Sequence, residues 1–163
     1  MSEAADPVSP GLWDWSLAAY AAPGVEAICL QLQDVNGQNV PLLLWAAWCA
    51  GSGRRPDVDT LEAACDTARA WQTAAIAPLR AVRRTLKGKI LDIDEAARLA
   101  VREQVKAVEL AAERGLLNDL EALAPPASAR PRPALDGLAE AARVWDGVVP
   151  RAALSSLATQ LPE

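Results

Sequence analysis

Residues 40–50, Val-Pro-Leu-Leu-Leu-Trp-Ala-Ala-Trp-Cys-Ala, carry no charged side chain and no hydrogen-bonding one beyond two tryptophan indoles. Such a segment must be covered on nearly every side. It is too short for the roughly twenty residues that cross a bilayer as a helix, so it predicts the central helix of a soluble domain. Asn39 stands before it as an N-cap, Pro41 falls in the first turn where a missing amide costs nothing, and Gly51-Ser52-Gly53 ends it.

The rest of the chain supplies what must surround that helix. With 163 residues and 52% apolar content, the chain is large enough for one domain with its own core. Its apolar residues are chiefly alanine and leucine, phenylalanine is absent and aromatics make up 4%, which favours helices over strands. The expected fold class is therefore all-α: a single-domain bundle of about five helices around a buried central one, with a proline-linked C-terminal helical appendage.

Apolar residues at i, i+3, i+4 and i+7 place helices at 12–22 and 25–35, separated by Pro23-Gly24 and closed by Asn36-Gly37. A long helix that begins within Asp57–Glu62 and runs to about Leu86 should carry the inner stripe Leu61, Cys65, Ala68, Trp71 or Gln72, Ala75, Leu79, Val82 and Leu86, kinked at Pro78. The next should bury Ala97, Val101, Val105, Val108, Ala112 and Leu116, forming an antiparallel hairpin with it. Asp59-x-x-Glu62 and Asp92-x-x-Glu95 resemble capping boxes. Organisation follows as a flexible N-terminus (1–10), a helical core (11–123), a proline-rich linker (124–133) and a C-terminal appendage (134–163). The appendage holds two short amphipathic pieces that either dock back on the core or stay partly mobile.

The N-terminal two thirds resembles a known family. The residues that carry the resemblance are Leu12-Trp13-Asp14-Trp15-Ser16-Leu17-Ala18-Ala19-Tyr20, Pro23-Gly24-Val25, Leu30-Gln31-Leu32-Gln33-Asp34, Asn36-Gly37 and Asn39-Val40-Pro41-Leu42-Leu43-Leu44-Trp45. Downstream, Trp71, Pro78-Leu79-Arg80, Arg83, Leu86-Lys87, Val105-Lys106 and Glu109-Leu110 continue it. Together they are similar to a family of small proteobacterial proteins of unknown function, over roughly residues 12–114. Trp15 and Pro41 depart from the family's pattern. The resemblance implies domain limits and no chemistry.

Several function classes are narrowed by what the chain lacks. It has no histidine, so catalytic triads, His-ligated metals and imidazole acid/base catalysis lose their usual central residue. A net charge of -5 argues against general binding to nucleic acid. Cys29, Cys49 and Cys65 are widely spaced in apolar surroundings and read as buried structural thiols. No signal peptide is visible at the N-terminus, and the expected compartment is the cytoplasm. Asp57/Asp59 and Asp92/Asp94/Glu95 sit at helix starts, where capping accounts for them. The reading therefore assigns no metal, no cofactor and no catalytic residue.

Arg80, Arg83, Arg84 and Lys87 recur at helical spacing and share one face. They suit a phosphate, a carboxylate ligand or an acidic partner, or else pair with Glu103, Glu109 or Glu113 on the neighbouring helix. Trp13 and Tyr20 join them as candidate binding residues, and a cavity lined by Trp13, Tyr20 and Trp71 and capped by Arg80 would mark a small-ligand pocket. Asp14, Ser16, Gln33, Asp34 and Asn39 form either a pocket rim or a set of caps and exposed helix ends. The first function expected is a non-enzymatic interaction or regulatory protein that turns its basic face toward an acidic partner protein. A binder of a small anionic ligand, or an enzyme acting on one, is the second, and local RNA or ribosome contact is the weaker third.

Overall fold

The structure, a computed structural model, describes residues 9–163. Residues 1–8, most of the stretch expected to be flexible, lie outside the described residues. Regular structure among the described residues is entirely helical, as expected: α1 (Leu12–Ala21), α2 (Val25–Asp34), α3 (Val40–Gly51), α4 (Val58–Trp71), a π turn (Gln72–Ile76), α5 (Ala77–Thr85), α6 (Glu95–Leu123), α7 (Ala134–Asp146) and α8 (Arg151–Gln160). None of these helices is long and apolar enough to cross a membrane.

The apolar run becomes α3, and every residue from Leu42 to Ala50 is buried. The Asn39 side chain accepts the Leu42 N–H at 3.0 Å, satisfying one of the orphan donors of the first turn. Helices α1, α2, α4, α6 and α7 all pack on α3. Of these, α7 comes closest: a Cβ built on Gly137 would lie 2.5 Å from the Ala46 carbonyl oxygen. Leu138, Leu154 and Leu157 from α7 and α8 are fully buried in the same core cluster, each contributing about 1.5–3 kcal/mol through burial.

The proline-rich linker is tied to the C-terminal end of α3. There, carbonyl groups have no intrahelical partner and need donors. Arg132 N–H donates to the Ala50 carbonyl and Ala129 N–H to the Gly53 carbonyl, both at 2.9 Å, while Arg54 Nη1 donates back to the Pro125 carbonyl at 2.8 Å. Gly53 lies in the left-handed region at φ 71°, where a Cβ would also strike the Ala129 carbonyl. Arg132 completes the clamp with a two-pronged pair to Glu140 on α7, at 2.7 and 2.6 Å.

Helices α4 and α5 form one rod, interrupted by a widened turn rather than a simple proline kink. Pro78 has no N–H, and its ring conflicts with the carbonyl four residues back. The preceding turn accommodates this by opening, with the Ala77 N–H donating to Gln72, five residues earlier. The two caps also differ from expectation. Asp57, not Asp59, caps α4 by accepting the Thr60 N–H at 2.8 Å, and Asp94, not Asp92, caps α6 through the Ala97 N–H at 2.9 Å.

The hairpin of α5 against α6 is as expected, but its inner face is not the valine stripe. Val82, Val101 and Val108 are about half exposed. Of the expected series here only Val105 turns inward; the other inward places are taken by Arg98, Arg102 and Glu109, each one position beyond Ala97, Val101 and Val108. Only from Ala112 onward does α6 meet the core, and there Leu116, Leu117 and Leu120 are buried. Between residues 77 and 108 Arg98 is the one buried residue, so this part of the hairpin is an arm held largely by polar contacts. Arg98 Nη1 caps α5 at the Leu86 carbonyl at 2.5 Å, and Arg102 Nε reaches the Arg83 carbonyl at 3.3 Å.

The close α3–α7 crossing gives a direct stability test. Gly137→Ala must push backbone from backbone, so urea unfolding should show a loss of about 1–3 kcal/mol. The surface change Ala152→Gly serves as a helix-propensity control, at about 1 kcal/mol or less.

A polar cleft around Arg80

The basic helix face splits once its neighbours are in place. Arg80 Nε lies 3.3 Å from Glu109 Oε1 and its Nη2 lies 3.5 Å from Glu113 Oε1. Arg83 Nε sits 2.5 Å from Glu109 Oε2. Arg84 turns the other way, toward α2, where its Nη2 meets Asp34 Oδ1 at 3.2 Å. Lys87 is exposed and, among the described residues, makes no ion pair. Two of the carboxylates anticipated as partners, Glu109 and Glu113, are thus engaged. Glu103 pairs instead with Lys106 and Arg102.

Arg80 stands between two hollows. The first, of about 490 Å³, lies between the end of α2, the first turn of α3 and the π turn, with Asp34, Gln38, Asn39, Gln72, Arg84 and Glu113 on its walls. The second, of about 430 Å³, is bounded by Leu17 and Tyr20 of α1, Cys29 and Leu30 of α2, and Arg83, Glu109 and Leu110 on the opposite side. The π turn contributes Gln72 and Ile76 to the first hollow. Such turns recur at functional sites because they re-aim side chains within a helix.

Trp13 and Tyr20 meet at a small hollow of about 50 Å³ with Ser16, Pro41 and Leu44. The Arg114 guanidinium lies over the Trp13 ring at 4.7 Å. Trp71 is not part of this grouping. It faces α6, where its indole donates to Asp119 at 2.7 Å and its ring fills the space left by Gly115. Gln38 was not anticipated: it is buried against α7, beside Asp146. Its only sequence signal is a long amide between an Asn-Gly turn and the start of an apolar run.

Burial dominates the electrostatics here. It raises the Glu113 carboxyl above the usual range, with Arg80 opposing and Glu109 adding to the rise. It also drives the Tyr20 phenol well above its ordinary value, helped by Cys29, Glu113 and Glu26 and opposed by Arg80. Asp34, at the rim, is lowered by the Gln33 side-chain amide and by Arg84. Burial pushes the thiols of Cys29 and Cys65 up to about 11 and that of Cys49 up to about 12, leaving little thiolate for nucleophilic chemistry near neutrality.

A family described as protein of unknown function (DUF2390) matches residues 11–120 of the 163. The chain belongs to this family. Neither the comparison with curated proteins nor that with solved structures gave a match. The family span takes in the whole of the cleft, from Trp13 through Glu113, and stops inside α6.

Because Glu113 binds its proton more tightly in the folded than in the unfolded chain, its contribution is greatest at low pH and is lost as pH rises through the folded value. Glu113→Gln should therefore raise the melting temperature at pH 7, with the gain disappearing toward pH 4. An equal gain at both pH values would contradict the assignment.

Proposed function

We propose that this protein is a non-enzymatic cytoplasmic binding protein whose α5–α6 arm docks an acidic surface on a partner protein. The observation that carries the reading is the charge of the arm. Residues 77–108 hold eight of the chain's sixteen Lys and Arg but four of its twenty-one Asp and Glu, a local charge of +4 on a chain of net -5. Eight cations and seventeen carboxylates remain for the rest. Exposed Val82, Leu91, Ile93, Leu99 and Val101 stand among the cations of the arm. Mixed apolar and cationic surface of this kind favours a protein partner, since charge steers the encounter while apolar area supplies affinity.

The acidic remainder disfavours an extended polyanion, which would meet repulsion beyond the arm. The lack of histidine and the high-pKa thiols support a role in binding rather than catalysis. Within the basic face, Arg80 and Arg83 are committed to Glu109 and Arg84 to Asp34, so the exposed lysines of the arm are Lys87, Lys89 and Lys106, the last of them beside Glu103.

The triple variant K87E/K89E/K106E alters exposed side chains only, so its melting temperature should stay close to that of the parent. Retention on immobilised polyglutamate at low salt is expected for the parent and lost in the variant. Equal retention of both, or tighter binding of the parent to single-stranded RNA than to polyglutamate, would overturn the proposal.

A further inference from the structure

We propose that the 490 Å³ hollow between α2, the first turn of α3 and the π turn is a binding site for a small zwitterion, a molecule carrying both an ammonium and a carboxylate group, such as a free α-amino acid. Its volume lies within the range of small-molecule sites. The walls are predominantly polar, and their hydrogen-bonding polarity is fixed rather than adaptable.

That polarity descends from the cap of α3. Asn39 Oδ1 is occupied by the Leu42 N–H, which leaves Asn39 Nδ2 to donate to Gln72 Oε1 at 2.9 Å. With its oxygen engaged by Asn39, Gln72, which lines the hollow, has in Nε2 a donor with no acceptor among the described residues. Gln38 is locked in the opposite sense. Its Nε2 lies 3.4 Å from both the Asn36 carbonyl and Asp146 Oδ1, groups that only accept, so the unpartnered buried atom must be the acceptor Oε1. One wall thus offers a fixed donor, whereas Gln38 Oε1 has almost no accessible surface and is sealed behind its wall, out of a ligand's reach.

The charges on the walls select among ligands. Arg80 and Arg84 are balanced by Asp34 and Glu113, so the formal charge of the lining is zero. A net anion gains no overall attraction from such a site. By contrast, a zwitterion can lie head to tail along the Arg84–Asp34 and Arg80–Glu113 pairs, setting its carboxylate toward the guanidinium groups and Gln72 Nε2, and its ammonium toward the carboxylates. Arg80 keeps Nη1 for this purpose, because Nε and Nη2 are engaged by Glu109 and Glu113. The site is separate from the exposed lysines of the arm.

Isothermal titration of the full chain with each of the twenty amino acids provides the test, repeated for any binder with its amine lacking the carboxylate and its acid lacking the amino group. At least one amino acid should bind with Kd below about 1 mM, and both singly charged analogues should bind at least about tenfold more weakly. Gln72→Glu keeps the acceptor for Asn39 Nδ2 and removes the donor, so it should weaken binding at least about tenfold with the melting temperature retained. Should Q72E fail to fold, R84Q, a change at an exposed guanidinium, must show the same weakening. K87E/K89E/K106E must leave the affinity unchanged, which separates this site from the docking arm. No binding by any amino acid, equal binding of an analogue, or undiminished affinity in the folded variant would overturn the inference.

Discussion

Burial of α3 is the constraint on which the rest of the molecule depends. A helix with no polar face cannot remain in water, so five other helices are required to cover it, and the closest approach is made by α7. The family match ends at residue 120, before α7 begins. Yet Leu138, Ala141 and Ala142 are fully buried against the core. The segment after the prolines is therefore part of the structure that makes α3 possible. Its linker serves the same helix by donating to the carbonyls at its end.

Away from α3 the chemistry changes. The inward residues of α6 pass from leucine and alanine to glutamate and arginine on leaving the core, and α5 buries none of its side chains completely. Ion pairs between partly exposed groups contribute far less than apolar burial. The arm is accordingly the part of the fold least secured by packing and the part with the densest positive charge. Both properties suit a surface that adjusts to a partner, and the cleft at its base lies where the packed and polar regimes meet.

Much of this was legible in the sequence because it rests on local rules. The apolar run, the Asn39 cap, the Asn36-Gly37 turn and the helix spacings each follow from nearest-neighbour physics, and the helices appear where those rules place them. The errors arose where a distant element decides. Val101 and Val108 have a good apolar period, but the facing helix α5 presents arginines to Glu109 and the carbonyls of its C-terminal end to Arg98 and Arg102, so the hairpin turns those three inward instead. Pro78 signalled a distortion, and its form, a π turn five residues long, depends on how the preceding turn relaxes. At the cleft, Arg80 and its carboxylate partners were readable from helical spacing. Gln38 and Gln72 were not, because their roles exist only through Asp146 and Asn39 across the fold.

The molecule is thus built in two regimes, an apolar body organised by α3 and a cationic arm held by polar contacts. Hydrogen exchange across the full chain tests this most directly, since each amide reports the free energy of the opening that exposes it. Residues 40–51 and 134–146 should exchange only on global unfolding, while residues 77–108 exchange much faster and lose further protection as salt is added. Protection of the arm equal to that of α3, unchanged by salt, would contradict the account.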